Sequence, residues 1–222
     1  DAGKQTFRIG SSPTPSRHFN LSRWRPGNIV LGQYWLDLPP DAVSGPASLQ
    51  LRLINTGANA YDKVFPLAQL DILPTERNFT PPEAIDMPLE ADFSGQTTLS
   101  GANCSTWTGT DCHTAPGQPV TFTLYWRANA PMDTNYTVFT HLLGPDETPL
   151  INADHAPPKP TQGWVTGEII ADTVTLNIPS DLPPGDYLIE AGLYNAADPA
   201  FPRLPLNTGE TRVILPQPLV VE

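Results

Sequence analysis

Apolar and polar residues alternate along several stretches of this chain. Val120, Phe122, Leu124 and Trp126 are interleaved with Thr121, Thr123, Tyr125 and Arg127. A period of two sends one set to each face of an extended backbone, so the stretch predicts a half-buried strand. Val174, Leu176 and Ile178 alternate in the same way with Thr173, Thr175 and Asn177, and Tyr187, Ile189, Ala191 and Leu193 follow. Leu49, Leu51 and Leu53 repeat the pattern with Gln50 and Arg52 facing outward. Residues 136–143 read as a strand, the run Gly144-Pro145-Asp146-Glu147 as a turn, and residues 150–154 as the returning arm of a hairpin. With residues 87–93 and 97–100 the count reaches about eight strands, which predicts an all-β sandwich of jelly-roll or immunoglobulin-like type.

The chain also matches itself. Trp24-Arg25-Pro26-Gly27-Asn28-Ile29-Val30 resembles Trp164-Val165-Thr166-Gly167-Glu168-Ile169-Ile170, 140 residues further on. The register continues without a gap through Leu36, Leu38, Pro39, Asp41 and Gly45, which fall on Leu176, Ile178, Pro179, Asp181 and Gly185. Counterparts of residues 120–143 would precede Asp1, so residues 1–82 read as a partial sandwich repeat with an extended N-terminal segment. Residues 83–222 read as a complete domain. Half a sandwich leaves an apolar face and open edges that something must cover.

Composition agrees with an all-β chain. The 27 prolines and 16 glycines are spread along its length, where proline is excluded from helix interiors but suits strand ends and turns. No apolar run approaches the roughly 20 residues that cross a bilayer, so no membrane insertion of this chain is expected. A net charge of -11 disfavours nucleic acid as a partner. The two cysteines, Cys104 and Cys112, flank a turn-rich stretch suited to a disulfide, and a disulfide implies an oxidising, extracellular or cell-surface location. The absence of a starting methionine at Asp1 fits a processed protein. Sequons at Asn20, Asn78, Asn103 and Asn135 are possible glycosylation sites.

Chemistry-bearing motifs are few. No G-x-S-x-G elbow, phosphate-binding glycine loop, H-E-x-x-H or C-x-x-C occurs, so no catalytic residue, cofactor or metal site is expected. Around the turn near Asp146, position 141 falls opposite about position 152, which makes His141 and Asp154 diagonal neighbours. Such a pair serves as a base, a weak metal candidate or a structural hydrogen bond. Among the aromatics, Trp24 and Trp164 share one repeat position and read as core plugs, as does Trp126. Trp35 faces away from Tyr34 and Leu36, and with Tyr125 and Trp107 it is a candidate interface or ligand aromatic.

The run Tyr125-Trp126-Arg127-Ala128, the stretch from Tyr136 to Leu142, Asn152-Ala153-Asp154-His155-Ala156-Pro157, Pro160-Thr161-Gln162-Gly163-Trp164 and Leu182-Pro183-Pro184-Gly185-Asp186-Tyr187 together resemble a known module. It is similar to the extracytoplasmic β-sandwich domains attached to bacterial multi-pass membrane glycosyltransferases of the dolichyl-phosphate-mannose type, and to related surface proteins. The resemblance implies fold and location more than activity. Two functions are therefore expected. The first is a non-catalytic structural subunit, self-associating into a homo-oligomer, a cell-surface filament or a layer by strand addition between chains. The alternative is a carbohydrate-binding accessory module of an envelope glycosyltransferase, with glycans as partners.

Overall fold

The computed structural model describes residues 25–29, 38–55 and 60–222. Asn20, Trp24 and Trp35 lie outside the described residues. The chain divides into two compact units between Glu76 and Arg77.

In the first unit β1 (Gly45–Asn55) and β2 (Tyr61–Ile72) form an antiparallel hairpin with a bulge between Leu49 and Gln50. Cross-strand neighbours share a face, so Leu49 and Leu51 join Ala68 and Phe65 on one side. On the other, Arg52 grips Asp62 through two hydrogen bonds of 2.8 and 2.6 Å. Among the described residues the apolar side is open, with Leu51 43%, Phe65 39% and Leu70 49% exposed.

The second unit is built from two four-stranded antiparallel sheets. One contains β3 (Met87–Phe93), β4 (Thr97–Cys104), β6 (Pro119–Ala128) and β9 (Ile169–Asn177), in that order across the sheet. The other runs β12 (Val213–Ile214), β11 (Ile189–Tyr194), β7 (Thr137–Leu143) and β8 (Pro149–Asn152). A smaller sheet joins β10 (Gly185–Tyr187), β13 (Leu219–Val221) and β5 (Cys112–Thr114), with β13 and β5 parallel.

The alternation in sequence becomes burial in space. Phe122, Leu124 and Trp126 of β6 with Val174 and Leu176 of β9 meet Val138 and Leu142 of β7 and Ile189, Ala191 and Leu193 of β11 in one continuous core. Two apolar sheet faces closed on a single core are a β-sandwich. Trp126 sits between Phe93 and Trp164, with ring centroids at 5.6 and 6.5 Å. Trp164 is fully buried, and its indole N–H donates to the Lys159 carbonyl at 2.8 Å. Burying one such ring contributes on the order of 3 kcal/mol.

The stretch from Tyr187 to Leu193 reads as one strand in sequence but serves two sheets. At Leu188 the backbone turns away, its carbonyl accepting from Leu143 N–H at 2.9 Å, so β10 and β11 part company there. Cys104 at the end of β4 and Cys112 at the start of β5 form a disulfide, with Cα atoms 6.0 Å apart. That bond belongs to an oxidising compartment outside the cytoplasm. Among the described residues no helix is long and apolar enough to cross a membrane.

Two turns recur 140 residues apart. Asn28 N–H bonds to Arg25 O at 3.0 Å, as Glu168 N–H bonds to Val165 O at 2.9 Å. Each turn holds a glycine of positive φ, Gly27 at 88° and Gly167 at 86°, where a side chain would be strained. Ala42 N–H to Pro39 O at 3.0 Å has its counterpart in Leu182 N–H to Pro179 O at 3.2 Å.

Candidate functional site

On the face of the β7–β11 sheet that points away from the core lies an open groove of about 340 Å³. It is lined by Phe139, His141, Asp154, Tyr194, Phe201 and Arg203. Period two explains the first of these. Val138 and Leu142 fill the core, so Phe139 and His141 turn to the other face, and on β11 Glu190, Gly192 and Tyr194 alternate with the buried Ile189, Ala191 and Leu193.

The pairing of β7 with β8 sets His141 opposite Asn152. Asp154 follows two residues on, and its Oδ1 lies 2.8 Å from His141 Nε2. The other ring nitrogen, Nδ1, lies 2.8 Å from Oε1 of Glu190, its cross-strand neighbour on β11. The imidazolium donates to both carboxylates, whereas the neutral ring donates to one and accepts from neither. Glu190 is almost wholly buried and is neutralised from the other side, where Arg212 donates at 2.7 Å. Burial pushes the Glu190 carboxyl upward, but Arg212 and His141 outweigh it and hold it below the usual carboxylate range. Arg212 also reaches Glu147, so one guanidinium ties the β7–β8 turn to β11.

The groove wall is aromatic. Phe139 and His141 have ring centroids 5.0 Å apart, and Tyr194 lies 6.4 Å from Phe139 and 6.2 Å from Phe201. The Arg203 guanidinium lies over the Phe139 ring at 4.2 Å. Tyr194 O–H donates to Asp154 Oδ2 at 3.1 Å, and burial together with that carboxylate raises the phenol above its ordinary value. Half-exposed Asp154 thus presents hydrogen-bonding capacity beside flat apolar rings. The arrangement can seat a small ligand that has both an apolar face and hydroxyl groups.

Two more charged clusters serve packing. His155 Nε2 lies 2.9 Å from Oδ1 of the buried Asp172 on β9, joining the two sheets. Among the described residues Asp172 Oδ2 has no hydrogen-bond partner. The Asp172 carboxylate raises the His155 pKa above its ordinary value. Buried Glu168 receives Lys159, Arg77 Nη1 at 2.6 Å and the Val165 N–H at 3.1 Å, fixing the turn ahead of β9. Among the described residues no group of three metal-ligating side chains forms.

The remaining sequence candidates are dispersed. Tyr125 lies half-buried on the outer face of the β6 sheet, its hydroxyl accepting from Asn103 Nδ2 at 3.2 Å. Trp107 packs against the core beside the disulfide. Asn103 is held in β4, its amide also donating to Ala84 O at 3.4 Å. Asn78 and Asn135 are exposed, their side-chain oxygens accepting from Thr80 N–H at 2.9 Å and Gln162 N–H at 3.1 Å. None of these joins the groove. Phe139, Glu190, Tyr194, Phe201, Arg203 and Arg212 escape the sequence. A glutamate inside the apolar run of residues 187–193 is the one local signal, and nothing periodic marks Phe201, Arg203 or Arg212.

Fold and site together define a disulfide-bonded β-sandwich with an aromatic, hydrogen-bonding groove on one sheet. No protein-family model matches the chain, and no curated protein matches it. Similar solved structures include a Niemann-Pick type C2 protein from Japanese carpenter ant, 11% identical over 61% of this chain and 95% of that one, with a TM-score of 0.36. The C-terminal domain of wzt is 14% identical over 63% of this chain and 82% of that one, with a TM-score of 0.40. Likeness at this level says nothing of ligand or activity.

Proposed function

We propose that this protein is a carbohydrate-binding module of the cell envelope, with the groove beside β7 and β11 as its sugar site. What supports the reading is the juxtaposition of the Tyr194 and exposed Phe201 rings, 6.2 Å apart, with the Asp154–His141 pair. A pyranose ring offers C–H groups to an aromatic face and hydroxyls to a carboxylate, and both are available within one groove. The charged residues beneath, Glu190 and Arg212, hold His141 in place so that little ordering remains to be done on binding. The resemblance to modules attached to envelope glycosyltransferases makes an accessory role beside such an enzyme the natural setting. Glycan-array screening followed by titration calorimetry tests it. Binding to one sugar class, weakened roughly tenfold or more by Tyr194→Ala and by Asp154→Asn with melting unchanged, is the expected result. Failure to bind any glycan removes the reading.

Assembly by strand addition is the second reading, and a separate observation favours it. The turns shared 140 residues apart support the first unit as a partial copy of the second, and the apolar side of its hairpin is open among the described residues. A neighbouring chain that covers this side in a head-to-tail manner builds a filament or layer. Negative-stain microscopy of the isolated protein at high concentration is the test, and discrete particles alone would sink it.

A further inference from the structure

In the β3-β4-β6-β9 sheet, β9 is an edge strand of nine residues. The direction of its main-chain groups follows from two hydrogen bonds. Ser105 N–H bonds to Thr121 O at 2.9 Å, so odd-numbered residues of β6 bond toward β4 and even-numbered ones toward β9. Since odd residues of β9 stand opposite odd residues of β6, the odd residues of β9 turn outward. Ile169 does so, its N–H donating to Asn78 O at 2.7 Å. Beyond it the outward groups of Ala171, Thr173, Thr175 and Asn177 meet no backbone partner among the described residues. All four side chains are exposed.

Natural edges are blunted by lysine, proline, a bulge or brevity. Residues 169–177 contain neither lysine nor proline, and the β6–β9 ladder runs without a register shift. The inward charge of Asp172 is masked by His155. At its centre the open stretch reads the same in both directions, with threonine at 173 and 175 flanking Val174. A two-fold axis through Val174 sets Thr173 against Thr175 of a second copy, and Ala171 against Asn177, and every one of these is an outward-bonding position. The row of threonines already formed across β6 and β9, with Thr121 to Thr175 at 2.9 Å and Thr123 to Thr173 at 3.4 Å, then continues across the axis.

We infer that β9 pairs antiparallel with β9 of a second copy of this chain, making one continuous eight-stranded sheet about a closed two-fold axis. A second copy is the occupant because the Thr173-Val174-Thr175 centre sets threonine against threonine, in register with the row on β6, when the strand meets itself. The contact is isologous and stops at two, unlike a head-to-tail contact. It is independent of the sugar site, which lies on the other sheet.

Sedimentation equilibrium of the full chain is the test. The wild type is expected to be dimeric, and Thr173→Lys combined with Thr175→Lys, which brings lysines face to face across the axis, is expected to raise the dissociation constant by about tenfold or more. Thr173→Glu combined with Thr175→Lys sets opposite charges across the same positions and restores the dimer. Both pairs of changes are exposed, and matching circular dichroism melts verify that each variant folds. A monomeric wild type at the highest soluble concentration overturns the inference, as does a dimer indifferent to the two lysines. Equal weakening by both double variants overturns the two-fold register.

Discussion

Gly192 stands directly opposite Phe139 in the β11–β7 ladder, and the Phe139 ring lies over the bare glycine backbone. A Cβ at position 192 would come within 2.4 Å of Phe139 Cζ. The glycine is there for closeness, and the groove wall depends on it. Gly192→Ala is expected to swing the ring out and cost about 1–3 kcal/mol of stability, as overpacking does. In a Phe139→Ala background the same substitution should be nearly free, because the obstacle is gone. A double-mutant cycle by urea denaturation measures the difference.

The His155–Asp172 pair makes stability fall with rising pH. Asp172 raises the His155 pKa above its ordinary 6.5. The protonated form is therefore favoured by folding, and its contribution is complete below 6.5 and lost as pH climbs through the folded value. Thermal melts between about pH 5 and pH 9 should show a declining midpoint in the alkaline half, beginning near the ordinary histidine value. His155→Gln should flatten that decline.

Glu190 works in the opposite direction. Its carboxyl is held below its ordinary 4.5 in the folded state, so its stabilisation is present above that value and lost as pH falls through the folded one. Glu190→Gln removes one partner from a buried network in which Arg212 keeps Glu147 and His141 keeps Asp154, which costs about 1–3 kcal/mol at neutral pH. The variant should also lose part of the acid sensitivity seen between about pH 4.5 and pH 2. Chemical denaturation at stepped pH reads both.

Opening the Cys104–Cys112 disulfide releases a loop that the folded chain holds closed. Loop-closure entropy puts the loss at about 2.5 kcal/mol, lowering the melting midpoint by roughly 5–10 °C for a domain of this size. Calorimetry of the Cys104→Ser, Cys112→Ser variant, set against the wild type with and without reductant, checks it. A reduced wild type matching the variant is the expected outcome.

The sandwich was legible wherever side-chain burial alternates over several residues. β6 and β9 are plain in the sequence because each carries four or more alternating positions, and Trp126 and Trp164 lie in the core for the reason their surroundings suggest. Short strands such as Val213–Ile214 and Cys112–Thr114 hold too few residues for a period to register. The break at Leu188 is a tertiary event, decided by which sheet each half joins. His141 and Asp154 could be brought together from the turn between them, since hairpin register is local. Glu190, Arg203 and Arg212 could not, because their positions depend on β11 lying beside β7, a pairing between segments about 50 residues apart.

The parallel pairing of β13 with β5 gives the sandwich a mechanical property. β5 opens at Cys112, so the strand that bears against β13 is bolted covalently to the end of β4. Tension drawn along β13 reaches Cys112 through main-chain bonds on one side and β10 on the other. Those bonds lie across the direction of pull, so they bear load together in shear instead of opening one after another. Oxidation thus decides whether the β4 sheet shares the pull through Cys112 or leaves it to the short strands on either side of β13.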